Sequence, residues 1–223
     1  MTETENRRPL KTRGKAWSQA LAARLARRGV SPDFLSAGSV AVAVLGGAAL
    51  CWTGMLSGPG RVIFLLLAAV CIQLRLLANM MDGMVAVEHG KGSPYGPIWN
   101  ELPDRIADVL FLAGAGYAAY AAGHNLGAVL GWICAVLAVL TAYIRELGRA
   151  LGQPADFRGP MAKPHRMFAL TVACVVAMAE PLWGWRGETF LIALTVIALG
   201  AVATAGRRTG LLARRLREAS PET

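Results

Sequence analysis

The sequence predicts an all-α integral membrane protein: about six transmembrane helices in a bundle, preceded by an N-terminal amphipathic interfacial helix. Three observations carry that reading. The 223 residues are 55% hydrophobic with a mean hydropathy of +0.44, which places the chain among membrane bundles. Six apolar segments meet the length of roughly 20 residues that a helix needs to cross a hydrocarbon core. The basic residues fall almost entirely on one side of the topology those segments define.

In chain order the expected spans are 34–56, 62–87, 106–122, 126–144, 167–182 and 189–205. Turn chemistry separates them: SGPG from Ser57, KGSPYGP from Lys91, GHN from Gly123, GQPADFRGP from Gly152 and GWRG from Gly184. The third span is short and rich in Gly and Ala, so it is expected to pack tightly inside the bundle, where small residues let backbones approach. The preceding stretch AWSQALAARLARR is basic and amphipathic and suits the anionic leaflet surface. No apolar core of signal-peptide length occurs in the first thirty residues. These features divide the chain into a basic arm (1–30), a six-helix membrane domain (31–206) and a basic tail (207–223).

Of the Lys and Arg residues, eight precede Ser31, two flank the acidic loop, five lie from Arg145 to Arg166 and five follow Ala205, whereas Arg61 and Arg186 stand in the opposite loops. The positive-inside rule then puts both termini and the acidic loop on the cytoplasmic side of the cell membrane. The net charge of +9 does not indicate nucleic acid, because the basic residues sit between apolar runs and not on a solvated aromatic surface. Cys51, Cys71, Cys134 and Cys174 lie singly in apolar segments, with neither a disulfide framework nor a zinc spacing.

The stretch NMMDGMVAVEHGKGSPYGPIWNELPDRIAD raises the functional question, because it gathers acids and amides at the membrane surface. Asn79 and Asp82 share one helix face, three apart; Glu101, Asp104 and Asp108 recur at three and four on the next helix. Helix caps would explain one such carboxylate but not this many on two facing elements. Like charges so close repel, and ionised groups near lipid are costly unless paired. A divalent cation resolves both problems, and hard oxygen donors without His or Cys favour Mg²⁺ or Mn²⁺ over zinc. Arg75, two turns below Asp82 in an apolar run, is expected to pair with a carboxylate or to reach a donor phosphate. Pro103 is expected to start or kink the third helix.

This segment resembles the signature of the CDP-alcohol phosphotransferases, Asp-x-x-Asp-Gly-x-x-Ala-Arg, eight residues, then Gly-x-x-x-Asp-x-x-x-Asp. Asp82, Gly83, Ala86, Gly96 and Asp104 match without a gap, while Asn79, Val87 and Asn100 depart from it. VSPDFLS from Val30 is similar to the family's entry to its first span, and RGPMAKPHR from Arg158 to its basic loop before the fifth. The resemblance implies a six-helix, divalent-metal-dependent transferase moving a phosphatidyl group from a CDP-activated lipid, CDP-diacylglycerol, to a small polar or phosphorylated alcohol, with release of CMP. It implies metal ligation by Asp82 and Asp104, and Asp104 as general base. It also implies nucleotide approach at Asp82, Gly83, Ala86 and Gly96.

The matched positions hold two carboxylates instead of four, so Glu101 and Asp108, each about one helical turn away, are expected to restore the missing charge with help from Asn79 and Asn100, and Asp108 to share the catalytic role. Lys163 and Arg166, with Arg145 and Arg149, are candidates for an anionic acceptor or the lipid phosphate. A homodimer is a possible assembly. The alternative is a catalytically weakened family member kept as a structural or regulatory membrane partner. A transporter would need polar residues through the depth of several spans, and the fourth to sixth are nearly featureless.

Overall fold

The computed structural model describes residues 14–88, 90 and 94–219. Among them the elements are α1 (Ala16–Arg27), α2 (Pro32–Thr53), α3 (Gly58–Glu88), α4 (Gly96–Ala121), α5 (Leu126–Ala150), α6 (Lys163–Ala179), a 3-10 turn (Glu180–Trp183) and α7 (Glu188–Ala219). The expected arm before residue 14, Lys91 in the acidic loop and the last four residues lie outside the described residues.

Among the described residues, five helices are long and apolar enough to cross a membrane: α2, α3, α5, the α6 segment and α7. The expected third span, inside α4, does not reach that mark, because its N-terminal turns carry Asp104, Arg105 and Asp108. It is nevertheless the helix around which the bundle closes. A Cβ on Gly114 would stand 2.6 Å from the carbonyl oxygen of Gly47 in α2, and one on Gly116 would stand 2.7 Å from the Cα of Gly131 in α5. Backbones this close admit only hydrogen at those positions, the packing that the Gly/Ala composition predicts. Large apolar side chains such as Val44, Leu66, Val136, Val196 and Leu199 face outward, as lipid contact requires.

Two helices exceed the bilayer. The 31 residues of α3 and the 32 of α7 span about 46 and 48 Å at 1.5 Å per residue, against a hydrocarbon core of about 30 Å. On α3 the surplus carries the acidic segment. On α7 it carries the helix unbroken through the boundary expected at residue 206. α1 turns Ala22, with Leu21, Leu25 and Ala26, onto Met80, Met81, Met84 and Val85 of α3, while Arg24 and Arg27 stay exposed. α2 begins at Ser31, whose hydroxyl accepts from the Phe34 amide at 3.2 Å, with Pro32 in its first turn.

α4 starts at Gly96, and Pro103 lies inside it, buried. Proline has no N–H to return to the preceding turn.

The 151–162 connection is pinned to α7. Arg208 donates to the carbonyls of Arg158 (3.0 Å) and Thr141 (2.6 Å), and the Met161 amide donates to Thr204 Oγ1 at 2.9 Å. In this connection burial works to raise the Asp156 carboxyl, but bonds from the Arg158 side chain and amide outweigh it and hold the group below its ordinary value.

At the opposite end of the bundle, Arg61 belongs to the first turns of α3 and not to a loop. It is buried, donates to the Ala177 carbonyl at 3.0 Å and pairs with Glu180. Glu180 also accepts from the amides of Gly187 (2.9 Å) and Thr189 (2.8 Å). A carboxylate with no exposure is thereby satisfied by one cation and two backbone donors.

Candidate active site

The C-terminal end of α3 and the N-terminal ends of α2, α4 and α6 meet at one end of the bundle, where their polar side chains converge. Asp82 is buried on α3, and its Oδ2 accepts a 2.6 Å bond from Ser36 Oγ of α2. Its Oδ1 takes the Gly83 amide at 2.5 Å. No salt bridge reaches Asp82 among the described residues. Asp104, from the third turn of α4, lies within electrostatic reach of Asp82 and forms ion pairs with both Arg75 of α3 and Lys163 of α6 on a single oxygen, Oδ1. Arg75, Asn79 and Asp82 follow at spacings of four and three, so one face of α3 presents all three.

The other predicted site residues separate from this centre. Asp108 is fully buried and receives Arg166 Nη2 at 2.7 Å. Arg166, 1% exposed, also donates to the Met161 carbonyl at 2.9 Å and to Thr141 Oγ1 at 3.4 Å. The pair therefore clamps α4, α5 and α6 together. Glu101 lies between Arg105 and Arg145, each at 2.5 Å, and Arg145 further holds Glu146 at 2.8 Å and stacks over the Phe157 ring, 5.3 Å from its centroid. Arg149 is exposed and pairs with Glu146 at 2.9 Å. Asn100 is exposed, while Asn79, Gly83, Ala86 and Gly96 are half-buried around the mouth.

Among the described residues no three His, Cys, Asp or Glu side chains gather as a metal cluster. The compensation expected from Glu101 and Asp108 is thus not assembled here, since both carboxylates are consumed by arginines on neighbouring helices. A divalent cation still fits Asp82 and Asp104. Asp82 is a buried carboxylate held only by a hydroxyl and an amide, both oxygens are hard donors, and two carboxylates match one divalent charge. The Asn79 amide, one turn earlier on the same face, adds a neutral oxygen.

Sequence reasoning did not find Ser36 as a partner of Asp82, although it lies within the motif VSPDFLS. The Arg61–Glu180 pair was likewise invisible, because Arg61 read as a loop charge.

The fold and this buried charge cluster define a polytopic helical membrane protein with an acidic centre at one mouth, flanked by fixed cations. No protein-family model matches the chain. It is 28% identical to the phosphatidylinositol phosphate synthase of Mycolicibacterium smegmatis over 84% of this chain and 79% of that one. It is also 28% identical to that of Streptomyces avermitilis, over 91% and 80%. The phosphatidylinositol phosphate synthase of Mycobacterium tuberculosis, solved with CDP-DAG bound, superposes with a TM-score of 0.70 at 23% identity, covering 87% of this chain and 92% of that one. The same enzyme has been solved in complex with manganese and citrate. The chain is thus similar over most of its length to phosphatidylinositol phosphate synthases, and it shares the fold of one of them.

Proposed function

We propose that this protein transfers a phosphatidyl group from CDP-diacylglycerol to a phosphorylated alcohol of the inositol phosphate class, releasing CMP. The observation that carries the reading is Asp104: a carboxylate at the bundle mouth, held by Arg75 and Lys163 and facing a second carboxylate, Asp82, that has no ion pair of its own. A lipid-linked donor reaches such a mouth from the bilayer, and a water-soluble acceptor reaches it from the cytoplasm. The names of the relatives point to the same pair of substrates.

In the reaction the acceptor hydroxyl oxygen bonds to the lipid-bearing phosphorus. The bond from that phosphorus to the CMP oxygen breaks, and CMP leaves with the electron pair. Asp104 takes the hydroxyl proton, a role worth about 10² to 10⁴ in rate for a positioned base. Asp82, Asp104 and Asn79 would hold a divalent cation, Mg²⁺ or Mn²⁺, which would supply charge screening for the pyrophosphate and for the departing CMP. Gly83, Ala86 and Gly96 keep the mouth narrow in side-chain bulk, so that the nucleotide lies against backbone. Lys163 completes the positive wall on the α6 side. Arg166 and Asp108 act indirectly by fixing the start of α6, from which Lys163 projects. Arg145 and Glu101 brace α5 against α4 in the same way, and exposed Arg149 is left to meet anions at the cytoplasmic surface.

Cytoplasmic sidedness rests on the charge distribution: Arg145, Arg149, Lys163 and the Arg-rich end of α7 all belong to helix ends at the site's side. The test is CMP release from CDP-diacylglycerol by purified protein with inositol phosphate, glycerol 3-phosphate, inositol and serine as acceptors. Release that depends on a phosphorylated acceptor is expected. Equal use of neutral acceptors removes the acceptor class, and no release with any acceptor leaves the weakened-relative alternative in its place.

A further inference from the structure

Away from the acidic centre, α7 and the 151–162 connection border a groove of about 300 Å³, a volume at the lower end of small-molecule sites. Its walls are Arg207 and Arg214 of α7 with Asp156 and Arg158 of the connection, and Gly206 and Gly210 form its floor. None of these residues belongs to α3, α4 or α6, whose side chains make the acidic centre. A Cβ on either glycine would meet nothing within 4 Å, so the floor is bare of side chains and has room for a ligand.

Helix phase sets which way the groove faces. Ile192, Val196, Leu199 and Val202 are exposed apolar side chains of α7, the stripe that lipid contacts in a membrane bundle. At about 100° per residue, Gly206 and Gly210 fall within about 20° of Leu199, and Arg207 and Arg214 within about 80°. The lipid-facing stripe therefore runs straight into the groove. Arg208 falls about 180° from Leu199, and it is buried, donating to the carbonyls of Arg158 and Thr141. Height agrees with direction. Glu188 and Arg207 are consecutive charges along α7, separated by about 28 Å of helix against a hydrocarbon core of about 30 Å. The groove thus opens sideways to the leaflet at the site's end of the bundle, at the depth of the lipid phosphates. Charge selects the ligand. Asp156 engages Arg158 at its amide (3.0 Å) and Nε (2.9 Å), and Glu218 stands 3.5 Å from Arg214. Arg207 has no hydrogen bond or ion pair among the described residues. One positive charge is left uncompensated, the complement of a single phosphodiester, and guanidinium forks suit phosphate oxygens.

We propose that this groove binds the headgroup phosphate of an anionic phospholipid, at a site separate from that of the transfer reaction. Arg207 makes the ion pair, Arg158 and Arg214 flank it, and the two glycines leave the headgroup room against the helix. A zwitterionic lipid brings its own cation to the same place and gains less. The inference goes beyond the transferase reading and stands independently of it.

The experiment titrates phosphatidylglycerol, phosphatidylcholine and inorganic phosphate onto the full-length protein in detergent and reads one-to-one binding by native mass spectrometry. Phosphatidylglycerol is expected to bind more tightly than the other two. Arg207→Gln should weaken it by about fivefold, the worth of one Arg beside a lipid phosphate. Gly206→Leu leaves the charge unchanged but fills the floor, and should weaken binding as much. Arg217, exposed on α7, lies about 15 Å beyond Arg207, past the screening length at physiological salt. Arg217→Gln therefore removes the same charge but should change the affinity by less than about twofold. Equal losses in Arg207→Gln and Arg217→Gln, with none in Gly206→Leu, reduce the groove to a diffuse basic surface and overturn the site. No loss in either Arg207→Gln or Gly206→Leu overturns it as well. Inorganic phosphate or phosphatidylcholine binding as tightly as phosphatidylglycerol overturns the lipid assignment. CMP release by Gly206→Leu should equal that of the unmodified protein, and a loss that tracks the lipid affinity overturns the separation from the reaction site. If Gly206→Leu does not fold, Gly210→Leu takes its place, since a Cβ there is equally unobstructed.

Discussion

Removing Arg166 tests whether the Asp108–Arg166 pair is a clamp or part of the acceptor pocket. The pair is almost fully buried, with Arg166 1% and Asp108 0% exposed and a 2.7 Å contact between them. Arg166→Met leaves a buried carboxylate without a counter-charge, whose Oδ1 already lacks a partner, and also frees the Met161 carbonyl. Breaking one side of such a pair costs about 3 to 5 kcal/mol. For a chain of this size that corresponds to a melting-point loss of roughly 6 to 20 °C, at about 2 to 4 °C per kcal/mol. The double variant Asp108→Leu/Arg166→Met removes both charges, and should recover half or more of the loss, because the penalty lies mainly in the orphaned ion. The assay is thermal unfolding in detergent of the unmodified, two single and one double proteins, with acceptor KM measured on the folded fraction. If the two single losses simply add in the double variant, the pair is not coupled. If Arg166→Met melts normally but raises acceptor KM, Arg166 belongs to the acceptor site and the clamp is wrong.

Asp82→Asn and Asp104→Asn should each lower CMP release per folded molecule by about 10² or more, given what a positioned base or metal carboxylate contributes, and Asp104→Asn should also melt lower because Arg75 and Lys163 lose their shared counter-charge; near-normal turnover in either variant would displace the active site from this mouth. Stripping the divalent ion with chelator should stop turnover, and Mg²⁺ or Mn²⁺ should restore it; full activity in chelator would exclude the ion from the reaction. Gly116→Val forces a side chain against the Gly131 backbone, where even a Cβ would sit at 2.7 Å, and should cost about 1 to 3 kcal/mol or prevent assembly; unchanged melting would mean that α4 and α5 are not held at this separation. A cysteine at Gln153, in the connection before α6, should react only with reagents that reach the cytoplasm, and labelling from outside intact cells would reverse the proposed orientation.

The helical bundle was legible in the chain, because apolar length and turn chemistry are local properties: each lipid-crossing helix satisfies its own backbone, whatever its neighbours do. The proximity of two acids was legible as well. Asp82 and Asp104 are fixed by motif spacing, and the Gly and Ala of α4 declare its close packing before any partner is known. Tertiary structure alone decided which charges neutralise which, since that depends on the distance between groups far apart in the chain. Glu101 and Asp108 stand beside the motif and read as spare ligands, yet Arg145 lies 44 residues from Glu101 and Arg166 lies 58 from Asp108, and each consumes its acid. Ser36, 46 residues before Asp82, is drawn to it in the same way. Arg61 read as a loop charge because its acid, Glu180, is 119 residues away. Helix formation is written in neighbours along the chain, whereas burying an ion depends on the opposite charge that folding brings to it.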